Sequence, residues 1–194
     1  MKNKSLKEIL VPAIMLFVIA TVCTALLAGT NLLTKDKIAD LEVQAAKEAK
    51  TAVFADATAF SEEKTVDVKG ESFVYYEAQD EKGNVIGYVF SVTTKSYGGD
   101  LSAMVGISAE TDKITGVEIT AINDTPGLGM KVNSEDFLSQ YIDRTGTMGV
   151  NKNEKTDTEI QAVSGATISS RAVTDAVNHA FSAYETIKAG GNNG

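Results

Sequence analysis

The chain has 194 residues, a formal net charge of −8 and a sequence pI near 4.7, an acidity that excludes the basic footprint of a DNA- or RNA-binding protein. One cysteine, Cys23, and one histidine, His179, exclude an internal disulfide and a cysteine-rich metal or iron–sulfur centre. The length suits one membrane anchor and one domain.

Residues 1–8 carry Lys2, Lys4 and Lys7 against Glu8, and no charge follows from Ile9 to Thr34. That run of about 26 residues is long enough to cross the ~30 Å hydrocarbon core as a helix. The lysines before it predict a cytoplasmic N-terminus, with the remaining chain outside the cytoplasm or in the periplasm. A cleaved signal peptide is the competing reading, but its apolar core runs only ~7–15 residues and Leu26-Leu27-Ala28 is a poor cleavage site. Lipoprotein processing at Cys23 fits poorly too, because Ala20-Thr21-Val22 places no small residue next to it. Pro12 is read as lying near the helix start, where no amide donor is needed. Thr21, Thr24, Thr30 and Asn31 either bond their own backbone or contact neighbouring helices.

Residues 35–72 read as a stalk helix and a connection. Ile38, Leu41, Ala45, Ala49 and Val53 form one apolar face over 35–53, and 54–72 is polar and irregular, with Phe54 and Phe60 as anchors. Strand signals begin at Phe73. Phe73–Ala78 and Val85–Thr94 flank the turn Asp80-Glu81-Lys82-Gly83-Asn84, a hairpin, and Gly87 marks a bulge or a close backbone approach. Leu101–Ala109 and Ile114–Ile122 flank Glu110-Thr111-Asp112-Lys113 as a second hairpin. Their period-two alternation predicts a half-buried antiparallel sheet.

Tyr97-Gly98-Gly99-Asp100 lies between the hairpins, and Asn123-Asp124-Thr125-Pro126-Gly127-Leu128-Gly129 follows them. Pro-Gly dictates a tight turn there. Ser134 is placed to cap a short helix over Glu135–Tyr141, and residues 143–159 read as polar loop. From Val173 the apolar residues Ala176, Val177, Ala180, Phe181, Tyr184 and Ile187 keep helical spacing. His179 reads as a solvated or edge residue of that helix, and Gly190–Gly194 as a frayed tail. Ser164, Thr167, Ser169 and Ser170 stand at the helix mouth, where hydroxyls can cap free N–H groups and where a phosphate also fits.

Ser164-Gly165-Ala166-Thr167, with Ser169-Ser170 behind it, resembles the flavinylation motif of the FMN-binding domain family, in which the threonine carries FMN through a phosphoester. Together with Tyr97-Gly98-Gly99 and Thr125-Pro126-Gly127-Leu128-Gly129 behind an anchor and stalk, the whole chain resembles the RnfG family, the G subunits of Rnf electron-transport complexes. The C subunit of the sodium-translocating NADH:quinone reductase is similar but usually longer, and ranks second. The resemblance implies an α+β fold: a single transmembrane helix over 9–34, then an extracytoplasmic FMN-binding domain over 73–189 with an antiparallel sheet and a C-terminal helix. It implies Thr167 as the covalent FMN site, with Ser164, Gly165, Ala166, Ser169 and Ser170 around the phosphate. Thr125, Gly127, Leu128 and Gly129 would pack beside the isoalloxazine ring, and Tyr97, Gly98 and Gly99 would border the same pocket.

The implied partners are the other membrane and redox subunits of an ion-pumping complex that couples ferredoxin and NAD, and a flavin transferase that uses FAD and Mg²⁺. The family often has aspartate three residues before the motif serine; here Gln161 stands there, which bears on the efficiency of attachment. No catalytic acid–base pair and no protein metal site are expected, since the flavin does the electron work. Two other readings stay open on the residues alone. One is a free-standing extracytoplasmic flavin reductase; the other is an anchored binding or scaffold protein in which Ser164–Thr167 is only a helix cap.

Overall fold

The computed structural model describes residues 4–190; residues 1–3 and 191–194, with Lys2 and most of the expected tail, lie outside the described residues. Contacts divide the chain into Met1–Gln44 and Ala45–Gly194. Helix α1 runs Lys4–Val53. Within it Ile9–Lys35 is an apolar stretch of 27 residues, none of it buried by protein, the length and exposure of a membrane-spanning helix. Pro12 lies inside α1, beyond the first turn where the sequence reading put it, so the carbonyl of Glu8 lacks its helical donor. Thr21 and Thr30 donate to the carbonyls of Phe17 and Leu26, at 2.8 and 2.9 Å. Of the expected apolar face, Leu41 and Ala45 are exposed and Ala49 and Val53 are buried.

The second unit holds the last turns of α1 and an antiparallel sheet. Its strands are β1 (Ala59–Phe60), β2 (Lys64–Val68), β3 (Glu71–Gln79), β4 (Val85–Ser96), β5 (Gly99–Ser108) and β6 (Ile114–Ile122). β3, β4, β5 and β6 pair in sequence, as hairpins dictate, while β1 and β2 share the free edge of β3. The segment expected to be irregular over 54–72 therefore contains strands. A 3₁₀ turn (Gly129–Asn133), α2 (Glu135–Leu138) and a second 3₁₀ turn (Ser139–Tyr141) follow. Ser134 occupies the N-cap of α2 without a side-chain cap bond. The region expected as loop after 143 contains β7 (Gly149–Asn151) and β8 (Glu159–Gln161), paired in parallel. There Arg144 donates to the carbonyls of Thr156, Asp157 and Glu159. The last element is α3 (Thr167–Lys188).

Strand alternation feeds two cores. Phe90 and Val92 of β4 and Leu101, Val105 and Ile107 of β5 join Val173, Ala176, Val177, Ala180 and Tyr184 of α3 in the larger core. Val89 and Met104 face the opposite way and pack with Ala49, Val53 and Phe54. Each fully buried aliphatic or Phe side chain contributes roughly 1.5–3 kcal/mol. The small residues of α3 let it lie close on β4, where Thr94 donates to the Ala172 carbonyl at 2.9 Å. Gly87 serves both expected purposes. A Cβ there would sit 2.2 Å from the Phe54 ring, and the β3–β4 register shifts beside it at Ala78/Gln79. His179 is exposed, with its ring 5.7 Å from that of Phe73.

Candidate functional site

Three segments distant in sequence meet at one end of the sheet. The first is the Tyr97-Gly98 turn between β4 and β5. The second is the loop after β6. In it the amide of Leu128 donates to the Thr125 carbonyl at 3.2 Å, with Gly127 at φ +77°; Pro126 and Gly127 are the residue types a type II turn requires at its corners. The third is the entry to α3, where the Ala166 amide donates to the Val163 carbonyl at 2.9 Å and Gly165 takes φ +77°.

Between them lies a cavity of about 430 Å³ lined by Tyr97, Thr125, Leu128, Gly129, Gly165, Ala166, Thr167, Ile168 and Ser169. Thr167 is half-buried and is the first residue of α3. Its amide and those of Ile168 and Ser169 belong to the first turn, where the helix offers no carbonyl acceptor and where the helix dipole favours an anion. Large side chains stay exposed around the opening: Tyr97 at 72%, Ile168 at 55% and Leu128 at 50%. An apolar rim beside free amides suits a ligand with a flat apolar part and an anionic part.

The hydroxyls expected to cap α3 are used otherwise. The N-cap position is Ala166, and no side chain caps it. Ser170 is fully buried, accepts the Val163 amide at 3.0 Å and donates to the Ala166 carbonyl at 2.9 Å. Ser164 is exposed in the turn and lies off the cavity wall. Ser169 is buried and hydrogen-bonded to Asp124. Thr167 is the hydroxyl at the helix mouth that is both on the cavity wall and partly open. Gly98, Gly99, Gly127 and Ser170 do not line the cavity either; the glycines shape the backbone behind it.

Residues 96–182 match the FMN-binding domain family, and residues 1–53 match the RnfG N-terminal region. The G subunit of the ion-translocating oxidoreductase complex of Methanosarcina acetivorans is 34% identical over 178 residues, covering 90% of this chain and 93% of the relative. The chain belongs to the RnfG family. A second RnfG relative, the G subunit of the Na⁺-translocating ferredoxin:NAD⁺ oxidoreductase complex of Acetobacterium woodii, is 31% identical with 90% of each chain covered. Among solved structures, Shewanella oneidensis NqrC superposes with a TM-score of 0.51 at 20% identity, covering 71% of this chain and 74% of that one. It shares the α+β fold.

Two site residues of this RnfG-family chain went unmarked in the sequence. Ile168 lies between the expected Thr167 and Ser169, and its apolar type on an outward position was the available signal. Asp124 is 3% exposed. Burial pushes its carboxyl up, but hydrogen bonds from Ser169, Ser96 and the Gly98 amide outweigh this and hold it below the usual carboxylate range.

Proposed function

We propose that this chain is the electron-carrying flavoprotein subunit of a membrane-bound ion-translocating ferredoxin:NAD oxidoreductase, with FMN joined through its phosphate to the Thr167 hydroxyl. The observation that carries the reading is the position of Thr167: a half-buried hydroxyl on the wall of the cavity, in the first turn of a helix of 22 residues. The cavity fits the group. The amides of Thr167, Ile168 and Ser169 would hold the phosphate, and Leu128, Ile168 and Tyr97 offer the apolar surface. FMN supplies one- and two-electron transfer when bound.

The protein's share is binding, orientation and exclusion of water. A threonine hydroxyl is a weak nucleophile at neutral pH, so a separate transferase is needed. With FAD as the donor, the Thr167 Oγ–P bond would form as the diphosphate bond of FAD breaks, AMP would leave and the hydroxyl proton would pass to solvent or a base. The other subunits of the complex are the redox partners. The lysines before the apolar stretch support a cytoplasmic N-terminus and an extracytoplasmic flavin domain.

The test is the intact mass of the full chain, produced with and without a flavin transferase, beside Thr167→Val. The expected result is a gain of FMN less one water in the parent and none in the variant. A gain that persists in Thr167→Val, or no gain with an active transferase in both the parent and Gln161→Asp, overturns the assignment.

A further inference from the structure

Asp124 holds the pocket together from behind. Its carboxylate accepts the Ser96 hydroxyl at 2.5 Å and the Gly98 amide at 2.6 Å, and it is hydrogen-bonded to the Ser169 side chain. Those partners come from the end of β4, the turn into β5 and the first turn of α3, while Asp124 itself stands in the loop after β6. The packing around it leaves no slack. A Cβ at Gly98 would lie 2.2 Å from the Asn123 carbonyl oxygen and 2.9 Å from the Asp124 Cα. A Cβ at Gly129 would lie 2.6 Å from the Asp124 Cβ and 2.9 Å from the Ser169 Oγ. Glycine at 98 and 129 is thus the residue that lets backbone close over this carboxylate.

We propose that Asp124 is the positioning residue of the flavin pocket: it fixes the three wall segments and places a constant negative charge behind Gly129 and Ser169. The second half rests on the FMN reading above; the first half does not. A buried charge with three donors is a costly group to retain unless it is fully paired, and here two donors come from the β4–β5 turn and one from the first turn of α3. Ser169 spends its hydroxyl on Asp124, which leaves Thr167 as the hydroxyl of the helix mouth on the cavity wall that is open to modification. A fixed negative charge near a group that gains electrons disfavours its reduction.

The test uses the full chain in detergent, with Asp124→Asn as the main variant and Ser169→Ala as the second, which removes one bond and keeps the charge. In protein without flavin, Asp124→Asn is expected to speed amide hydrogen exchange by roughly tenfold or more at Gly98 and at Ser170, whose amide closes the first turn of α3 on the Ala166 carbonyl at 2.9 Å; Ser169→Ala is expected to do so at Ser170 in that first turn alone. In flavinylated protein, Asp124→Asn is expected to move the flavin midpoint potential in the positive direction, and Ser169→Ala to leave it nearer the parent. Wild-type exchange at all these amides in Asp124→Asn overturns the positioning role, and an unmoved potential overturns the electrostatic one. If Asp124→Asn fails to fold, unchanged first-turn exchange in Ser169→Ala overturns the proposal and faster exchange supports it. Absence of FMN in the parent chain defeats the FMN reading and the electrostatic half with it, while the exchange result still decides the positioning half.

Discussion

Gly129→Ala isolates the closeness of the wall segments from backbone strain. Gly127, two residues earlier, has φ +77° and open space around a built Cβ; Gly129 has no positive φ, but its Cβ would lie 2.6 Å from the Asp124 Cβ. Non-bonded carbons rest about 3.5–4.0 Å apart, so the Asp124 backbone must retreat by about an ångström. Overpacking of that kind costs about 1–3 kcal/mol. Losing one hydrogen bond to the displaced carboxylate adds about 1.5–3 kcal/mol. Gly129→Ala is therefore expected to destabilise the domain by at least about 2 kcal/mol, and Gly127→Ala by about 1–2 kcal/mol from strain alone. Urea unfolding of the full chain in detergent, followed by circular dichroism, measures both, and intact mass reads the flavinylated fraction. Gly129→Ala should lower that fraction, because Gly129 and Ser169 line the cavity. A Gly129→Ala protein within about 0.5 kcal/mol of the parent, with full flavin loading, would refute the claim that close packing on Asp124 shapes the pocket.

Ser170→Ala should lower stability by about 1–3 kcal/mol, because the Val163 amide loses its acceptor, yet keep the covalent mass, because Ser170 lies off the cavity wall. Phe54→Ala should cost about 3–5 kcal/mol in the same unfolding assay by emptying the space over Gly87 in the smaller core; a loss below about 1 kcal/mol would mean that the residue following α1 does not close that face. Tyr141 is fully buried, and burial pushes its phenol above the ordinary value. A raised folded pKa leaves stability intact below the unfolded value near 10 and removes it as pH rises beyond, by up to about 1.4 kcal/mol per pH unit. Tyr141→Phe should cost about 1 kcal/mol at neutral pH through the Thr174 hydrogen bond and flatten the fall above pH 10; an unchanged alkaline slope contradicts this.

What the sequence displayed most clearly was whatever local chemistry decides by itself. The hairpin turns, the Pro126-Gly127 corner and the apolar spacing of α3 are such features, and the main sheet and helix follow from them. β2 escaped notice because Val66 is its one buried residue, between charged and polar neighbours on an edge strand. β7 and β8 are three residues each and polar; Ile160 makes sense as a strand residue only once it is seated in the core. The hydroxyl cluster before α3 pointed to capping, yet the tight turn at Gly165 puts Ala166 at the N-cap and turns Ser169 and Ser170 inward. Asp124 is the least legible of these residues. A carboxylate in a Pro-Gly loop reads as a solvated charge, and its burial depends on donors about 28 and 45 residues away in the chain, which only the closed fold supplies.

The same helix explains why the candidate hydroxyl is held so firmly. Thr167 begins α3, and from Ala172 to Tyr184 that helix is packed into the larger core. A hydroxyl on a free loop would have to be ordered each time the site is used, at a cost of about 1–2 kcal/mol per residue in backbone entropy. On α3 that ordering is already part of folding, because Val173 and Val177 are fully buried and Thr94 fastens the Ala172 carbonyl. The loop that faces it is short, turned by proline and glycine, and tied to the helix through Asp124 and Ser169. The wall is thus rigid on the side that would carry a covalent phosphate, while Tyr97, Leu128 and Ile168 remain exposed at the opening. An electron relay needs that division: a cofactor fixed in position and an open edge through which another redox group can approach.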